Sequence, residues 1–228
     1  MGPFLASLGA FILLHSLPAL PPVRARLIGA LGRTAYLALY SLVSTAVIVL
    51  VFRTAFGLDY IPLWDAAPWQ ADVTLALAPA GLFLVIVGLL GRNPFSVTLR
   101  PDGARMDAIV HITRHPVPLG FALWSFGHVV PNGDLRSLIL FGILGLFSLG
   151  GIAMQEKRAR RRLGSRFEAL SAETSILPLA AVLRGRAGFR PDASFLLSLA
   201  ITAALTAAIL GGLHAALIGA DPLALAAG

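Results

Sequence analysis

The chain of 228 residues is 57% hydrophobic and only 13% charged, with a mean hydropathy of +0.83, which excludes an ordinary water-soluble domain and points to a helical membrane protein. It has no cysteine, so disulfides, iron–sulfur clusters and thiolate-held zinc or haem are excluded, and any metal must rest on histidine or oxygen ligands. The net charge of +7 does not indicate a nucleic-acid partner, because the basic residues are spread over connecting segments instead of forming one patch.

Crossing a bilayer takes about 20 apolar residues. Runs of that order recur at 3–20, 36–56, 73–91, 116–131, 135–154 and 194–219, the first and fourth being the shortest. The expected fold class is all-α, a polytopic integral membrane protein of about six transmembrane helices whose partner is the lipid bilayer. Of the 18 Lys and Arg residues, 16 fall in the connections after the first, third and fifth runs. Positive residues favour the cytoplasmic face, so those connections are expected inside and both termini outside, in a multi-pass inner (plasma) membrane protein.

The first run, FILLHSLPAL at its end, carries His15. It lacks a basic segment before its apolar stretch, so it reads as an uncleaved span. An ionisable side chain at such depth is costly unless paired. His15 is then either a ligand or a neutral imidazole bonded to a hydroxyl of the next run, with Tyr36, Tyr40 and Ser44 as candidates. Pro21 and Pro22 end the first helix, and Arg24, Arg26 and Arg33 follow as a membrane anchor. Tyr36, Tyr40, Ser41 and Ser44 form a polar stripe expected to face other helices. In the next connection Tyr60, Trp64 and Trp69 suit the membrane-interface belt. Gly81, Gly88 and Gly91 in the third run allow close helix approach.

The segment GARMDAIVHITRH reads as a surface helix or one leading straight into the fourth run, with His111 and His115 four apart on one face. The stretch HITRHPVPLGFALWSFGHVVPNGD holds three of the five histidines. His115 and His128, thirteen apart, would stand roughly 20 Å apart on one helix. They cannot share one metal, so a ligand from another segment is required, and His15 is the strongest candidate. Pro131-Asn132-Gly133-Asp134 reads as a tight turn with Asp134 capping the fifth run. After that run Gly164 suits a helix end, and Ser165 with Glu168 suits a capping box. Leu163, Phe167 and Leu170 share a face, as in a helix lying on the inner leaflet with its arginines at anionic headgroups. His214, near the outer end of the last run, reads as structural.

Histidines on several helices, without carboxylates at the same depth, suit a flat apolar cofactor better than a di-metal hydrolase, which needs oxygen ligands. Haem b fits: two imidazoles as axial ligands, with inner-loop arginines such as Arg114 for the propionates. Spacing alone does not select the second ligand among His15, His115 and His128.

FILLHSLP, the stretch 36–44, ITRHPVPLGFALWSFGHVVPNGD and the EKRxxRRLGxRFExL segment together resemble the NnrU family, which includes the 15-cis-zeta-carotene isomerases. The resemblance covers roughly 4–183. It divides the chain into an NnrU-like membrane domain, 1–187, and an additional C-terminal transmembrane helix, 188–228. It implies haem b held by His15 and His128, with His115 next. It also implies one of two roles: a link to denitrification, through production of active nitrite and nitric oxide reductases, or haem-dependent cis–trans isomerisation of a polyene, an apolar small-molecule substrate. The RHP motif and the following Glu156 and Arg160 also resemble the isoprenylcysteine carboxyl methyltransferases, which use S-adenosylmethionine. In that reading His115, Pro116, Glu156 and Arg160 line the cofactor pocket, though Val117 and Pro118 replace the tyrosine usual there. A third reading is a non-catalytic membrane scaffold for assembling reductases.

Overall fold

The computed structural model describes residues 1–100 and 105–227. The described residues form helices α1 (Gly2–Ser16), α2 (Pro21–Leu31), α3 (Arg33–Phe56), α4 (Pro68–Leu90), α5 (Ala108–Ile112), α6 (Pro116–Val129), α7 (Leu135–Leu163), α8 (Arg166–Ala172), α9 (Ala180–Leu183), α10 (Ala193–Ala208), α11 (His214–Ile218) and α12 (Pro222–Ala226), with a wide turn at Ile209–Leu213 joining α10 to α11. An all-α membrane fold is what the composition demanded. Four helices are long and apolar enough to cross a membrane: Arg33–Phe56, Pro68–Leu90, Leu135–Leu163 and Ala193–Ile218. A fifth crossing arises if α1 and α2, bent by 85°, count as one broken span. The fourth apolar run does not reach that length. Pro116 and the 131–134 turn confine α6 to 14 residues, about 21 Å, against a hydrocarbon core of about 30 Å.

The chain divides into two compact units, Met1–Leu63 with Asp134–Leu140, and Trp64–Gly133 with Phe141–Gly228. In the first unit α1 lies antiparallel to α3. Ser7 Oγ meets Thr54 Oγ1 at 2.9 Å near one end of the pair, and His15 meets Ser44 near the other. Phe4, Leu8, Val51 and Ala55 fill the seam. The Asp134 cap is formed as its sequence indicates: its carboxylate accepts the Ser137 N–H at 3.1 Å. Arg136 then ties the start of α7 to the end of α3 by donating to the Leu58 and Phe56 carbonyls.

The second unit is organised by the α4–α6 crossing. Small residues let the two backbones touch, as the glycines of the third run led one to expect. A methyl group at Gly81 would stand 2.5 Å from the Gly120 carbonyl oxygen, and one at Gly88 would stand 2.7 Å from Pro116 Cγ. Thr74 Oγ1 adds a hydrogen bond to the Gly127 carbonyl at 2.7 Å. Beneath one end of this pair Val87, Phe95, Ile109, Val110, Ala159 and Phe167 form a buried cluster. Ile109 and Val110 are therefore core, not surface. Phe167 likewise turns inward, with Leu163 and Leu170 packed on the same cluster, so the shared face of those three residues covers protein rather than lipid.

Gly164 ends α7 with φ +55°, as its position suggested, but the capping box is not formed. Ser165 makes no side-chain cap bond, because Glu168 is drawn instead to Arg160 at 2.5 Å. On α10, Ser194, Ser198 and Thr202 form a buried stripe. The Ser198 hydroxyl donates to the Ser194 carbonyl at 2.6 Å and that of Thr202 to the Ser198 carbonyl at 2.7 Å. The start of α10 is stitched to α5, where the Asp192 carboxylate accepts the Ala108 N–H at 2.6 Å and the Phe195 N–H at 2.9 Å. Burial by itself would raise the acidity constant of Asp192, but these bonds and the Ser194 hydroxyl outweigh it and hold the carboxyl below its usual range.

Candidate functional site

Proline disfavours the helical conformation in the residue before it. His115, at φ −124° and ψ 61°, is therefore the non-helical cap of α6, and α5 ends at Ile112. His111 and His115 thus do not share a helix face. His111 approaches the Glu173 carbonyl at 3.5 Å. Gly103 and Ala104, placed by the sequence at the start of the preceding helix, lie outside the described residues.

Freed from the helix, His115 points into the second unit and is fully buried. Its Nε2 donates to Glu156 Oε2 at 2.6 Å, while Arg114 Nη2 reaches Glu156 Oε1 at 3.0 Å. The Arg114 guanidinium also lies 5.4 Å from the Phe95 ring centroid. Burial lowers its acidity constant and the Glu156 carboxylate opposes that shift. Both oxygens of one carboxylate are occupied, so Arg114, His115 and Glu156 form a closed cluster tying the α5–α6 junction to α7.

The opposite end of α6 is different. The His128 ring stands 4.6 Å from Trp124 and 5.1 Å from Phe141, centroid to centroid. Its Nδ1 lies 2.7 Å from the Trp124 carbonyl oxygen. A carbonyl can only accept, so Nδ1 carries the proton and Nε2 presents a lone pair. No hydrogen bond engages Nε2 among the described residues. His128 lines a cavity of about 320 Å³ whose wall is mostly apolar, including Leu75, Ala78, Leu82 and Leu210. His214 lines the same cavity. Its sequence position gave no sign of this, because the ring is placed by a chain reversal beyond the helix.

Arg114 does not accompany His128. It sits on Glu156 before the first turn of α6, with the 14 residues of that helix between them, and no Lys or Arg is among the residues lining the cavity. His15 belongs to the first unit. Its Nδ1 donates to the Phe11 carbonyl at 2.8 Å, and its Nε2 accepts from the Ser44 hydroxyl at 2.7 Å. Ser44 is one of the three hydroxyl partners open to it in the sequence. Among the described residues, no three or more His, Asp or Glu side chains are grouped to hold a metal ion.

Comparison with known proteins agrees with the motif reading. A family model described as "NnrU protein" matches residues 3–222, so the match includes α10 and His214. The 15-cis-zeta-carotene isomerase of Zea mays is 36% identical over 80 residues and that of Arabidopsis thaliana 34% identical over 80 residues. Each alignment covers 34% of this chain and 21% of the relative, so the chain matches about a fifth of the length of these curated relatives. No solved structure matches. The chain, an all-helical membrane protein, belongs to the NnrU family.

Proposed function

We propose that this protein binds haem b with His128 Nε2 as an axial ligand. The carrying observation is the state of that imidazole: one nitrogen fixed on the Trp124 carbonyl, the other bare at an apolar cavity. A carbonyl accepting the distal N–H orients a metal-bound histidine and raises its basicity. Trp124 and Phe141 hold the ring on both sides, and the apolar wall excludes water. Bound haem supplies a redox-active iron. Family membership favours a role in producing active nitrite and nitric oxide reductases at a bacterial inner membrane, with the basic connections cytoplasmic. The isomerase relatives favour cis–trans isomerisation of a polyene as the alternative use of the same group.

The resemblance assigns the other axial position to His15. That ring has the matching tautomer, but its Nε2 would have to release the Ser44 hydroxyl, at a cost of about 1 kcal/mol. A methyltransferase is less well supported. His115 and Arg114 saturate Glu156, and Arg160 pairs with Glu168 and lies 4.1 Å from the Phe167 ring centroid, so the residues required for that cofactor are committed to partners within the protein.

The test is the absorption spectrum and haem content of detergent-purified protein from haem-replete cells. A Soret band that is lost in His128→Ala and kept in His111→Ala is expected. Colourless protein that also fails to take up added haemin would overturn the reading.

A further inference from the structure

On the reading above, we propose that His214 supplies the second axial imidazole to the iron bound by His128. Both residues line one cavity, and both rings are prepared in the same way. His214 Nδ1 donates to the Ala220 carbonyl at 2.7 Å. Its Nε2 therefore carries a lone pair, and no hydrogen bond engages it among the described residues. Coordination through either nitrogen moves no proton.

The chain around His214 is shaped for that ring rather than for a core. The preceding turn contains Gly212 at φ +116°, and α11 closes on Gly219 at φ +81°. Nothing stands within 4 Å of a methyl group at either glycine, so they are required by conformation and not by space. The reversal at Gly219 carries the Ala220 carbonyl back to His214. Asp221 then starts α12 by accepting the Leu223 N–H at 2.9 Å. Neither α11 nor α12 buries a residue fully. Two left-handed glycines and a capped fold-back thus stabilise little packing, and what they fix is an imidazole.

The remaining polar groups of the wall select the ligand. Thr74 spends its proton on the Gly127 carbonyl, and the Asn132 side-chain amide donates to the His128 carbonyl at 2.7 Å. The cavity therefore offers mainly acceptors: two Nε2 lone pairs, the Asn132 carbonyl oxygen and the Asp221 carboxylate. Such a wall suits an electron-pair acceptor. A bare cation needs more ligands than two imidazoles, and no grouping of three is present among the described residues. An iron that already has four equatorial nitrogens needs only two.

The experiment is electron paramagnetic resonance and visible absorption of the haem-loaded full chain. Wild type is expected to be low-spin with two imidazoles. His214→Ala is expected to keep its haem on His128 yet become high-spin and bind carbon monoxide when reduced, with millimolar imidazole restoring the low-spin spectrum. Gly219→Ala, which leaves both rings in place but strains the reversal, should give a mixture of the two spin states. A low-spin spectrum unchanged in His214→Ala, or one lost in His15→Ala instead, would overturn the role of His214 while leaving haem binding intact. Wild type that holds no haem would overturn the underlying reading.

Discussion

The two ends of α6 carry histidines in opposite conditions. His115 is sealed, with its Nε2 on Glu156 and Arg114 completing the carboxylate. His128 has one nitrogen spent on its own helix and the other facing a cavity. A buried imidazole bound to a carboxylate within the fold has its free energy committed to holding helices together, while one with an unspent lone pair at an apolar wall is available for a ligand. The motif containing both therefore joins a structural half to a binding half.

The sharpest way to break this contrast is Glu156→Ala. It strands the Arg114 charge, whose side chain is 12% exposed, and a buried His115 N–H, and should cost about 3 kcal/mol. Thermal unfolding in detergent should show that loss, with haem per folded protein unchanged; a selective loss of pigment would erase the distinction between the two ends. Gly81→Ala strikes the middle of α6. Its methyl group meets the Gly120 carbonyl, which cannot swing aside as a side chain can, so a loss of about 2 kcal/mol is expected. Because the α4–α6 spacing would widen, both the melting temperature and the haem spectrum should change.

The smallest effect concerns the stitch below the closed end. The Asp192 carboxyl titrates below its usual value in the folded protein. Its contribution is complete above the ordinary aspartate range, about 3.9, and is lost as pH falls through the lower, folded-state value. Asp192→Ala should lower stability by about 1 kcal/mol at neutral pH and flatten this acid limb of the melting curve. A limb as steep as in wild type would assign it to other carboxylates.

The class of fold was legible because composition and run length obey the bilayer directly, and the crossing glycines and the Asp134 cap followed from local rules. Errors arose where a local rule met a competing partner. Pro116 separated His111 from His115, and Arg160 took Glu168 from the capping box. The apolar face containing Phe167 was plain in the sequence, but whether it covered lipid or protein was not. His214 was passed over because its environment is made by a reversal at Gly219, a tertiary event that helical spacing does not encode. His128 stood out through its motif, whereas the bare state of its Nε2 required coordinates.

The hydroxyl ladder on α10 bears on how this protein is made. Because the Ser198 and Thr202 hydroxyls donate to carbonyls one turn back on their own helix, they need no neighbour. A polar group satisfied this way costs the segment little in hydrocarbon. The final span can therefore leave the translocon and wait in the lipid as a lone helix, then dock on α4 once the rest of its unit has assembled.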